Sequence, residues 1–198
     1  AAEPSFRTVT ASFTALGVEH IWLGFDHLLF VAGLVLLART PRRILLAVTG
    51  FTAAHSVTLS LAALGIVRVP IAPVEALIAL SIVFVARELV VGDTESLAQR
   101  FPVGISFVFG LLHGLGFAGA LSAIGLPAVE VATGLIGFNL GVEIGQVAFI
   151  AALLGLWHIA RTRGAAQSRM LQVGTAGYAL GVPAAFWTLE RTLAAFSG

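Results

Sequence analysis

Residues 20–38 read HIWLGFDHLLFVAGLVLLA: an apolar run of membrane-crossing length whose first eight positions hold His20, Asp26 and His27. A core of roughly 30 Å needs about 20 apolar residues in a helix, and this stretch meets that need with three polar groups inside it. Working outward, similar runs recur at about residues 43–66, 72–91, 102–124, 131–160 and 171–195, each bounded by Arg, Pro or acidic residues. The expected fold is therefore all-α, a polytopic membrane protein built as a six-transmembrane-helix bundle over residues 20–198. Residues 1–19 hold Glu3, Pro4, Arg7 and Glu19 and are too polar to span, so they are expected to form an extracytoplasmic lead-in.

Composition points the same way. Only 11% of the 198 residues are charged and 58% are hydrophobic, against about 25% charged in a soluble domain. Net charge is +1, so nothing provides the basic surface that nucleic acid requires. With no Cys and a lone Met170, disulfides, iron-sulfur clusters and a thiolate or thioether copper site are excluded. A bound metal ion would have imidazole and carboxylate ligands.

All the basic residues are Arg, and they are unevenly placed. Connections 1–2, 3–4 and 5–6 hold eight of them: Arg39, Arg42, Arg43, Arg87, Arg100, Arg161, Arg163 and Arg169. The opposite side holds Arg7, Arg68 and Arg191. Basic residues favour the cytoplasm, so an integral protein of a bacterial inner membrane with both termini outside is expected. The chain begins with Ala, which suits removal of a signal peptide or an upstream extracytoplasmic domain.

An internal repeat is also visible. Gly24, His27, Leu29, Ala32 and Gly33 match Gly110, His113, Leu115, Ala118 and Gly119 at an offset of 86, and Gly50-Phe51 matches Gly137-Phe138 at 87. Three helices per unit would make two inverted three-helix repeats.

Several polar groups lie where lipid would penalise them: Glu19, His20, Asp26, His27, His55, Glu75, His113 and Glu143. A charge at mid-membrane costs about 3 kcal/mol even on the lenient insertion scale. Such groups must be paired, protonated, hydrated or bound to a cation. Glu75 follows Pro70 and Pro73 and reads as a helix-start carboxylate, and His158 sits beside Arg161 at an interface. His20 and His27 are seven residues apart, hence about 10.5 Å along a regular helix. They can share one ion only if the helix breaks, for which Gly24 is available; otherwise they are two successive stations. His55 lies among Thr52, Ser56 and Thr58, while Asn139, Glu143 and Gln146 form one polar stripe. Gly110 and Gly114 flank His113 as a small-xxx-small pair that lets helices approach closely.

The His-x5-Asp-His run at 20–27, Phe51-Thr-Ala-Ala-His55-Ser, Gly110-Leu-Leu-His113-Gly114 and Phe138-Asn139-Leu-Gly-Val-Glu143-Ile-Gly-Gln146 together resemble the HupE/UreJ family over about residues 15–195. That resemblance implies a nickel or cobalt permease associated with metalloenzyme maturation. The nickel-permease branch carries Phe-His-Gly-x-x-His-Gly on the fourth helix, whereas here Phe109 precedes Gly110 and no Glu follows Gly114. The chain thus looks like the second branch, whose members often have a large extracytoplasmic domain ahead of the membrane part.

The leading expectation is a permease for Ni2+, Co2+ or Zn2+, whose partners are the metal ion and the lipid bilayer. Asp26, His27, His55, His113 and Glu143 are expected to form a central site, with His20 and Glu19 as an outer recruiting station and Asn139 and Gln146 lining the path. A second reading is an intramembrane zinc-dependent hydrolase resembling the ceramidase-like enzymes, with Asp26 or Glu143 as base and Ser56 as oxyanion donor. A third is haem held by His27 and His113.

Overall fold

The computed structural model describes residues 6–38, 40–93, 95–117, 128–162 and 169–197. Among them every regular element is a helix: α1 (Phe6–Leu23), α2 (Phe25–Ala38), α3 (Pro41–Ala63), α4 (Ile71–Val91), α5 (Leu97–Arg100), α6 (Pro102–Gly116), α7 (Ala128–Thr162) and α8 (Arg169–Ser197). Helix ends follow local chemistry. Thr40 caps α3, its side chain accepting from the Arg43 N–H, with Pro41 opening the first turn. Gly92, at φ 66°, closes α4 by donating its N–H to the Glu88 carbonyl.

By length and composition, α3 and residues 131–162 of α7 are able to cross a membrane, and α1 with α2 qualifies as a bent pair with 74° between its halves. α6 is apolar but has 15 described residues, α4 carries Glu75, Arg87 and Glu88, and α8 carries Glu190 and Arg191. The expected first boundary near residue 20 falls inside α1, because Gly24 interrupts the apolar run at residues 20–38 and its first four residues continue a helix begun at Phe6. Residues 118–124 of the expected fourth span, Ala118 and Gly119 of the repeat, Glu3, Pro4, Arg39 and Arg163 lie outside the described residues.

Three close helix pairs organise the bundle: α1 with α7, α3 with α6, and α4 with α8. The α3–α6 pair is parallel, since Ser106 Oγ donates to the Ala47 carbonyl at 2.5 Å, Gly110 lies against Phe51 and Gly114 against His55 and Thr58. A Cβ on Gly110 would come within 2.5 Å of the Phe51 carbonyl oxygen, so the approach depends on the small-residue pair. This contact brings His55 and His113 to one level. Gly110, which the repeat lays on Gly24, lies within continuous α6, so the repeat does not carry the helix break.

Two apolar clusters flank that level. Ile21, Leu59, Leu135, Phe138 and Val142 pack on one side. Phe30, Leu34, Phe51, Ile82, Val85 and Ala184 pack on the other.

Candidate functional site

Four imidazoles from four helices meet between the two clusters. The break at Gly24 turns α2 away from α1, so His20 at the end of one and His27 at the start of the other face each other with ring centroids 4.6 Å apart. His55 from α3 lies 6.0 Å from His20 and 5.8 Å from His27, and His113 from α6 lies 5.1 Å from His27. His27, His55 and His113 are buried. Phenylalanines close the walls: Phe117 lies 4.2 Å from His20, Phe30 5.0 Å from His113 and Phe51 5.1 Å from His113.

The hydrogen bonding around these rings is incomplete. Ser81 Oγ lies 3.1 Å from His113 Nε2 and also donates to the Ile78 carbonyl at 2.6 Å. Its single proton is thereby used, so the His113 ring donates to the serine and its Nδ1 lone pair is free. His113 Nδ1, His20 Nε2, His27 Nε2 and both ring nitrogens of His55 are buried without a hydrogen-bond partner among the described residues. A buried polar atom left so costs about 1–3 kcal/mol. Imidazole nitrogen in apolar surroundings suits Ni2+, Co2+, Cu2+ and Zn2+ far better than Mg2+ or Ca2+.

Ring spacing and ring orientation differ in what they permit. Two imidazoles bound at about 2.1 Å with angles between 90° and tetrahedral hold their centroids about 4.5–5.2 Å apart. The His20–His27 and His27–His113 spacings of 4.6 and 5.1 Å fall within that range, and the 5.8 and 6.0 Å spacings from His55 to His27 and His20 exceed it. In their present rotamers, however, no three His, Asp or Glu side chains among the described residues are arranged to hold one ion. Rotation about the Cβ–Cγ bond redirects the nitrogens and leaves a ring centroid almost in place.

The expected carboxylates have other partners. Asp26 Oδ2 accepts from Arg191 Nη1 at 2.9 Å, and the same nitrogen donates to the Glu75 carbonyl at 3.2 Å. The Arg191 guanidinium also lies 5.7 Å from the centre of the Trp187 ring. Glu143 Oε1 accepts from Thr49 at 2.8 Å, and one helical turn along, Gln146 Oε1 accepts from Thr52 at 2.8 Å. Asn139 Oδ1 and Gln146 Nε2 are buried without partners among the described residues. Glu19 and His158 are exposed. Ser56 donates to the Thr52 carbonyl at 2.6 Å.

Thus the imidazole expected at an outer station, His20, joins the other three, while Asp26 is tied to Arg191 and Glu143 lies against α3 beside Thr49. Sequence reading missed Ser81, Thr49 and Arg191. A signal existed for Arg191, an arginine within the last apolar run, because a carboxylate such as Asp26 inside another apolar run demands a cation. Nothing local marks Ser81, which is assigned only by its contact across helices.

The family model described as HupE / UreJ protein matches residues 1–191. No curated protein and no solved structure matches the chain.

Proposed function

The chain belongs to the HupE/UreJ family, generally associated with nickel and cobalt transport, and on that premise we propose that it is a membrane permease for a divalent transition-metal ion: Ni2+, Co2+ or Zn2+. The proposed ion station is His20, His27, His55 and His113. One observation carries this reading: five unpartnered ring nitrogens on four adjoining imidazoles. A packing role alone would leave their desolvation uncompensated, whereas a cation gives their lone pairs a use. Binding entails rotation of the rings towards a common point.

Onward movement would follow the polar side chains between α3 and α7. Glu143 supplies the charge that offsets loss of the ion's hydration, and Thr49, Thr52, Asn139 and Gln146 supply oxygen ligands or water partners. The reading includes six crossings with both ends outside the cytoplasm, supported by the arginine distribution.

The other readings find less support. For hydrolysis, Asp26, Glu143 and Ser56 would have to act beside the histidines, and each has a partner elsewhere. Bis-imidazole haem sets the two rings on opposite faces of the iron at about 2.0 Å each, which separates centroids by about 6.4 Å; His27 and His113 are 5.1 Å apart.

The test is flux. Proteoliposomes containing the chain and an internal metal-sensitive dye are expected to take up Ni2+, Co2+ or Zn2+ above empty vesicles, and His55→Ala is expected to abolish that uptake. One tightly retained ion without flux would instead support a metalloenzyme.

A further inference from the structure

At the end of the bundle where α3 and α6 begin, a cavity of about 510 Å3 is lined by Arg42, Arg43 and Arg100 together with Leu46, Phe101 and Gly104. No Asp or Glu is among its described lining residues. Arg100 approaches Glu95 only to 4.0 Å, both side chains being largely exposed, and among the described residues neither Arg42 nor Arg43 makes an ion pair. Three cations thus share one concave surface with little neutralisation.

The backbone adds to this charge. Because α3 and α6 run parallel, their N-termini lie side by side, and each presents roughly half a positive charge from its unpaired N–H groups. Like ends repel, and an anion between them would turn that repulsion into attraction. Apart from Thr40, the rest of the lining is apolar, and Leu46 and Phe101 are both exposed. A freely soluble anion has no use for such a wall, whereas an acyl chain does.

We propose that this cavity binds the phosphate of an anionic phospholipid, with Arg42, Arg43 and Arg100 around the headgroup and an acyl chain along Leu46. Bound lipid clamps the start of the α3–α6 pair, which carries His55 and His113 about three to four turns further along. Lipid binding at this cavity does not depend on metal transport, so either can fail alone.

The experiment titrates the delipidated full chain in detergent with phosphatidylglycerol, phosphatidylcholine or inorganic phosphate, read by native mass spectrometry. Phosphatidylglycerol is expected to be retained at least fivefold more than phosphatidylcholine, and Arg100→Gln and Gly104→Leu are each expected to reduce that retention at least fivefold. Gly104→Leu keeps every charge, and a Cβ there meets only Phe101, at 3.9 Å, so the new side chain has room to occupy the cavity. A photoreactive phosphatidylglycerol on the unaltered protein, expected to label residues 40–46 or 100–104, provides a readout independent of any variant's folding. Equal retention of the two lipids, full retention by Gly104→Leu, or labelling elsewhere overturns the proposal. Saturable binding of inorganic phosphate without preference for phosphatidylglycerol assigns the site to a soluble phosphate and overturns the lipid.

Discussion

His20 and His27 stand with ring centroids 4.6 Å apart although seven residues separate them. On an unbroken helix they would be about 10.5 Å apart along the axis. The difference is made at Gly24, where α1 ends, α2 begins and the chain turns by 74°. The same residue shields the contact by having no side chain: a Cβ there would lie 2.7 Å from the His20 carbonyl oxygen and 2.9 Å from His27 Nδ1.

Gly24→Ala is therefore expected to displace the His27 ring while leaving helix content unchanged. Metal affinity, measured by competition with a chelating dye, should fall at least tenfold. Unaltered affinity would mean that the ring pair takes no part in binding.

Ser81 is hydrogen-bonded to His113, and on the proposed reading it orients that ring rather than holding the ion. Partners of this kind typically contribute 10–100-fold in metal affinity. Ser81→Ala is expected to weaken binding about tenfold and Ser81→Thr to restore most of it. A loss as complete as that of His113→Ala would instead make Ser81 a direct ligand.

The Asp26–Arg191 pair ties the start of α2 to α8, with about a fifth of each side chain exposed. Removing one member of a fully buried pair costs about 3–5 kcal/mol; partial exposure lowers the expectation for Arg191→Gln to about 2 kcal/mol. Asp26→Asn combined with Arg191→Gln should recover much of this, since no charge is then left alone. Thermal unfolding in detergent of both single variants and the double variant measures the coupling, and strict additivity would show that the pair contributes none.

Glu143→Gln keeps an oxygen able to accept from Thr49 and removes a negative charge. The fold is expected to persist while uptake falls several-fold or more. Uptake by the unaltered protein should also decline as pH falls, because a proton on imidazole occupies the lone pair that the ion needs. Undiminished flux through Glu143→Gln would move the path away from the α3–α7 seam.

Much of this protein was legible from one dimension. Apolar runs in a chain with few charges announce an all-helical protein for lipid, because in hydrocarbon each backbone polar group must find a partner within its own helix. Polar residues inside those runs stand out because lipid penalises them, which is why His20, His27, His55 and His113 were all identifiable as candidates. Spacing along the chain could also state the condition for joining His20 to His27, a break at Gly24, but not whether the break occurs. That depended on whether residues 6–23 pack as a separate helix along α7, a contact made with residues more than a hundred positions away. The parallel docking of α3 on α6, which sets His55 beside His113, and the diversion of Asp26 to Arg191, 165 residues distant, are likewise long-range events. Residue type fixes how unfavourable an unpaired group is in the membrane, whereas only the packed bundle decides which partner relieves it.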